Sequence, residues 1–244
     1  PGTLKFFEAD LLSPGSFDEA VKGCGIVIHT ASPFIIKGFK DPQAALIKPA
    51  VQGTENVLEA CNRIASVQRV VLTSSIVSVF GDNIDALKAK DGVLDETDWN
   101  TTSSAAHQPY PYSKTMAERK AWEMHRLQTR WHLVTINPGV IMGPSLTPSS
   151  QSTSIDMMRD LGSGTQRTGV PNLELGIVDA VQGSRHDGVA PRAGFVAVFL
   201  HHVAQELLLL AGQSRHLVTA LVAGQVASTA KCRFGQLFAA LEAL

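Results

Sequence analysis

The sequence has no basic run, and its 21 Lys and Arg are set against 22 Asp and Glu for a formal net charge of −1. That balance argues against nucleic acid as the main partner. Cysteine is sparse: Cys24, Cys61 and Cys232 stand far apart and share no metal-ligand spacing. An odd, low count fits buried thiols in a reducing, cytoplasmic setting and predicts no metal site. Long apolar runs are missing as well. The most apolar stretch, AGFVAVFLHHVAQELLLLAG, is interrupted by His201, His202, Gln205 and Glu206, which makes it a poor membrane span. No signal peptide is visible, and no membrane partner is expected.

What the chain has is an ordinary globular composition, 44% hydrophobic and 18% charged over 244 residues, with material for one sizeable core. Residues 4–178 alternate strand and helix patterns. LKFFEAD reads as a short strand. SFDEAVKG reads as a short helix with Ser16 as N-cap and Gly23 as stop. GIVIHTAS and RVVLTSS are near-continuous β-branched runs of the kind buried on both faces of a parallel sheet. Between them, Val51, Thr54, Val57, Leu58, Cys61 and Ala65 form one helical stripe, with Pro49 marking a start or kink. SKTMAERKAWEMHRL is a further helix, and HLVTINPG a further strand. The alternation predicts an α/β fold with a doubly wound, Rossmann-like parallel sheet and right-handed crossovers. Ligands in such sheets bind beyond the carboxyl ends of the strands, where Asp10, His29–Ser32, Thr73–Ser75 and Asn137–Gly139 collect.

Beyond Val178 the pattern stops. Residues 179–244 contain no Ile, Tyr, Asn, Met or Trp. The expected division is therefore a partial dinucleotide-binding domain at 1–178 and an atypical, irregular or partly helical region at 179–244, frame-shifted or diverged. His202 and Glu206 there share the i,i+4 spacing of metal ligands, but a third ligand is not apparent.

The chain has two tyrosines, Tyr110 and Tyr112, and they stand differently to Lys114. Tyr110 precedes it by one helical turn, so both side chains emerge on one face. An ammonium close to a phenol favours the phenolate and readies it for proton exchange with a carbonyl or alcohol oxygen. Tyr112 points elsewhere, toward Met116. A solvated tyrosine beside a lysine is the commoner source of this spacing.

Taken with ADLL, HTASP, GTENVLEAC, TSS and NPGVIMGP in that order, the pair closely resembles the extended short-chain dehydrogenase/reductase group (the NAD-dependent epimerase/dehydratase superfamily). The likeness runs over roughly residues 3–178 and is strongest to the dihydroflavonol-reductase-like branch of aldehyde and ketone reductases. It implies an oxidoreductase that uses NADP(H), with NAD(H) as the alternative, on a small-molecule carbonyl or alcohol. It further implies Tyr110 as proton donor, Lys114 as the residue that lowers its pKa and holds the nicotinamide ribose, and Ser75 as hydrogen-bond partner of the substrate oxygen, in preference to Ser74. Asp10 and Leu11 match the segment that contacts adenine. His29, Thr30, Ala31 and Ser32 match the strand end passing the ribose and phosphates, and Pro138 and Gly139 the turn beside the nicotinamide. Asn56 matches a helix position that braces the active-site strands.

Two departures stand against that pattern. The family opens with a strand, a glycine-rich turn and a helix that receives the pyrophosphate, then a second strand and helix. None of this precedes Pro1, and Gly23, Gly25, Gly162 and Gly164 do not follow a strand and open a helix. The expected sheet thus lacks its first two strands, each about 4.8 Å of sheet width, leaving a gap or a re-paired edge. Cofactor binding by the chain as given is expected to be poor. HQPYPYSK also lacks the longer signature associated with cinnamoyl-CoA reductases. A sugar-nucleotide epimerase or dehydratase, and a non-catalytic remnant or binding module, stay open as alternatives.

Overall fold

A computed structural model describes residues 5–33, 38–89, 93–142, 153–164, 177–179 and 220–221. The chain divides into two compact units. The first holds the residues up to Asn137 together with 220–221; the second holds those described from Pro138 to 179.

The first unit is built on a parallel sheet of β1 (Ile26–His29), β2 (Arg69–Thr73) and β3 (His132–Ile136). All three strands point the same way, so their carboxyl ends meet at one edge. Hydrophobic runs specify β2 best: Val70, Val71 and Leu72 are all buried. β1 differs from its expected burial on both faces, because Val27 and His29 are buried while Ile26 and Ile28 are half-buried.

Helices precede and link these strands. α1 (Asp18–Val21) precedes β1, and Gly23 at φ +79 closes it, as a left-handed stop favours glycine. Its N-cap is Phe17 rather than Ser16. The Ser16 hydroxyl is spent on Asp10, donating to its carbonyl at 2.7 Å and accepting from its amide at 3.2 Å. α2 (Lys48–Arg63) follows a π-helical turn at Gln43–Ile47 and carries Pro49 in its first turn, where the missing amide costs nothing. Its stripe of Thr54, Val57, Leu58 and Cys61 is buried; Val51 is half-buried, and Ala65 lies beyond the helix and is exposed. α3 (Asn83–Lys88) is short. α4 (Pro109–Arg126) begins earlier than the sequence pattern suggests, since Pro109 and Pro111 both fall in its tolerant first turn. The core gathers Leu11, Phe17, Val57, Leu58, Val70, Ala121 and Trp131.

The expected strand at LKFFEAD does not form: residues 5–10 are in no strand, and Phe6 and Phe7 are 70% and 41% exposed. A strand needs a ladder partner, and the outer edge of β1 is taken in parallel by β6 (Ala220–Leu221). The sheet order is β3-β2-β1-β6. That is a re-paired edge. In the second unit, β4 (Val140–Met142) pairs in parallel with β5 (Ile177–Asp179), and α5 (Thr153–Gly162) lies between them in sequence. Among the described residues no helix is long and apolar enough to cross a membrane. Cys24 and Cys61 are buried and not in disulfides, and burial pushes the Cys61 thiol up to about 12. Cys232, His202, Glu206 and the apolar stretch from Ala193 to Gly212 lie outside the described residues.

Candidate active site

The end of β2 supplies the first side chain. Ser75 leaves the strand in an extended conformation and N-caps the 3-10 turn Ile76–Ser78. Its carbonyl accepts from Asn137 Nδ2 at 3.1 Å, which ties it to the end of β3.

The loop before α4 is stitched to that same turn. Asn100 Nδ2 donates to Val77 O and to Ser103 Oγ, both at 2.8 Å. Ser103 Oγ in turn donates to Gln108 Oε1 at 3.1 Å, and Gln108 Nε2 donates to Asp82 at 2.7 Å. Those bonds hold Gln108 at φ +55, a left-handed conformation that turns the chain into α4. Tyr110 is thereby delivered two residues later, beside the Ser75 side chain. Burial pushes its phenol up to about 12, and Ser75 opposes that rise. Lys114 is not among the causes, which differs from the depression the lysine was expected to give. The ammonium instead donates to Thr73 O at 3.2 Å. Lys114 is only 7% exposed; burial lowers its pKa to about 8, and Glu118 pulls the other way.

At the ends of β1 and β2 buried polar atoms are left unsatisfied. Among the described residues, His29 Nδ1, Ser32 Oγ and Thr73 Oγ1 find no hydrogen-bond partner. With Lys114 and Thr54 they line a space of about 10 Å³, room for one water-sized group. Unpaired polar atoms in such a place are costly unless something visits them. Their chemistry fits a hydroxyl of a ribose reaching in beside Lys114. A phosphate cradle is another matter: Gly23 and Gly25 precede β1, and Gly162 and Gly164 close α5. Thr30 is exposed and Ala31 packs against the core.

The remaining expected residues are placed as follows. Asp10 is exposed, while the Leu11 side chain is buried in the core and its carbonyl accepts from Asn56 Nδ2 at 2.6 Å. Asn56 thus braces residues 10–12 rather than a strand. Pro138 and Gly139 fall in the second unit. Tyr112 is half-buried on α4. Sequence reasoning passes over Glu118, which is buried one turn beyond Lys114 and bonded to Ser74, Ser78 and Asn137. The i,i+4 spacing from Lys114 is the signal that could have found it. Among the described residues no group of three or more His, Cys, Asp or Glu is arranged to hold a metal.

The sequence pattern of the 3-beta hydroxysteroid dehydrogenase/isomerase family matches residues 2–163. Cinnamoyl-CoA reductase CAD2 of Medicago truncatula is 42% identical over 179 residues, 72% of this chain and 52% of that protein. An anthocyanidin reductase ((2S)-flavan-3-ol-forming) of Vitis vinifera is 39% identical over 170 residues, 68% and 48% of the two chains. The chain spans about half the length of the curated relatives it matches. Yeast methylglyoxal/isovaleraldehyde reductase Gre2, solved with NADPH, superposes with a TM-score of 0.61 at 30% identity, covering 70% of this chain and 54% of that one. Vestitone reductase from alfalfa, at 24% identity and a TM-score of 0.55, bears on the fold alone. With residues 2–163 matched and a three-stranded parallel core of the same kind, the chain belongs to the 3-beta hydroxysteroid dehydrogenase/isomerase family, on the dihydroflavonol-reductase-like branch of the extended short-chain dehydrogenase/reductases.

Proposed function

We propose that this chain carries the catalytic residues of an NADP(H)-dependent oxidoreductase that reduces an aldehyde or ketone to an alcohol. The observation that carries the reading is that Ser75 and Tyr110 stand together, with Lys114 one helical turn beyond. The matched relatives are named as reductases, which supports reduction over sugar-nucleotide epimerisation.

When bound, the reduced nicotinamide supplies a hydride to the carbonyl carbon. Tyr110, raised to about 12, is fully protonated at neutral pH and gives its proton to the carbonyl oxygen. Ser75 lies beside the Tyr110 oxygen and donates to the phenolate left behind. The carbonyl π bond is thereby exchanged for one C–H and one O–H bond, and solvent restores the proton to Tyr110. Lys114, with the unsatisfied polar atoms of His29, Ser32 and Thr73, would hold the ribose beside it. The preference for NADP(H) rests on the yeast neighbour's NADPH.

The test is NADPH consumption by the 244-residue chain with a panel of apolar aldehydes and ketones, at cofactor concentrations of ~1 mM and above. Alcohol formed in step with NADPH consumed is the expected result. A chain that consumes none with any carbonyl overturns the reductase reading.

A further inference from the structure

A buried carboxylate with no part in the chemistry above sits behind the site. Glu118 is 6% exposed. Its Oε2 accepts from Ser74 Oγ at 2.5 Å and from Asn137 Nδ2 at 2.9 Å, with Ser78 Oγ also 2.5 Å away. Its Oε1 accepts from Trp122 Nε1 at 3.4 Å. Every neighbour is a donor, the arrangement that suits an acceptor-only, ionised carboxylate.

Those donors come from three places that the site depends on. Ser74 and Ser78 flank Ser75 on both sides, and Ser78 Oγ lies 2.8 Å from the Ser75 carbonyl. Asn137, at the end of β3, donates both to Glu118 and to that carbonyl. Glu118 itself stands on α4, one turn from Lys114 and two from Tyr110. A charge taken this far out of water is costly unless paired and fully bonded. Here it is bonded on both oxygens and lines the same small space as the buried Lys114.

We infer that Glu118 is a positioning residue of the reductase site: its carboxylate fixes the backbone that carries Ser75 and supplies the negative charge facing Lys114. This rests on the reductase reading for its catalytic consequence. The electrostatic half rests on placement: Glu118 and Lys114 stand one turn apart on α4 and line the same small space, and the carboxylate opposes the fall that burial imposes on the ammonium. The other titratable groups around Lys114 are His29 from β1 and Tyr110 from α4; β2 and α2 bring the uncharged Thr73 and Thr54. His29, lowered to about 4, does not titrate where Lys114 does.

The experiment is a pH titration of lysine side-chain nitrogens by NMR in the full chain, with Lys114 identified by the signal missing from Lys114→Arg. It needs neither cofactor nor substrate. In Glu118→Gln, which keeps shape and removes charge, the Lys114 midpoint falls from near 8 by about one unit. In the activity assay the same variant loses about 10- to 100-fold in kcat with little change in KM, and its alkaline limb moves to lower pH. If Glu118→Gln does not melt cooperatively, Glu118→Asp is compared instead; it keeps the charge one methylene further back and gives a smaller fall in the midpoint. An unchanged Lys114 midpoint in a folded variant overturns the inference. A wild-type chain that turns nothing over overturns the reductase reading and the catalytic half of this one, while the titration still decides whether Glu118 governs Lys114.

Discussion

His29 stands at the tip of β1 with 3% of its surface exposed and Nδ1 without a partner among the described residues. Burial first, and the nearby Lys114 charge second, bring its pKa down from 6.5 to about 4. Its folded value lies below its unfolded one, so the unfolded chain takes up the proton first as pH falls. The stability this group contributes is present above about 6.5 and is lost as pH drops toward 4. Between pH 7 and pH 5 the loss is about 2 kcal/mol. Denaturant melts at the two pH values should show wild type losing that much more than His29→Gln; equal losses would assign the acid sensitivity to other groups. Residues of this kind differ in how far a sequence reveals them. Tyr110 and Lys114 are legible because they share a helix and a fixed spacing. For Glu118 only the spacing from Lys114 is legible; its partners Ser74, Ser78 and Asn137 lie 44, 40 and 19 positions away and meet it only in the fold.

Among the elements, α2 shows how tightly the residues after LKFFEA are held. Gly53 faces Leu11, and a Cβ at that position would stand 2.8 Å from Leu11 Cδ2 and 3.1 Å from Leu11 Cβ. Leu11 is fully buried, and its carbonyl is fixed by Asn56, so it cannot simply swing away. Alanine's better helix propensity, about 1 kcal/mol, is outweighed by overpacking. Gly53→Ala is expected to lower stability by about 1–2 kcal/mol. In a double-mutant melt, Gly53→Ala with Leu11→Ala should lose less than the sum of the two single losses; strictly additive losses would show that the two do not touch. The apolar stripe of α2 was readable from its 3.6 period. The failed strand at residues 5–10 was not, because seven residues of the right composition say nothing about whether a neighbouring edge is free. The early start of α4 follows from Pro109 and Pro111, which the pattern of apolar residues does not weigh.

For the first unit as a whole, the decisive feature is that β1, β2 and β3 are parallel and adjacent, so His29–Ser32, Thr73–Ser75 and Asn137 end at one edge. Strand–helix alternation in the sequence was enough to predict that gathering. The pairing of β1 with Ala220–Leu221 was beyond it, since a two-residue segment carries no period. The proposed function makes this edge a reductase site with Tyr110 as its acid. The most direct measurement compares wild type with Tyr110→Phe for reduction of one apolar aldehyde by NADPH, with cofactor affinity measured alongside. The phenyl ring keeps the packing and removes the proton. Turnover is predicted to fall by about 100- to 10,000-fold with cofactor affinity within about twofold of wild type. A Tyr110→Phe chain that reduces the aldehyde at the wild-type rate would remove Tyr110 from the role of acid.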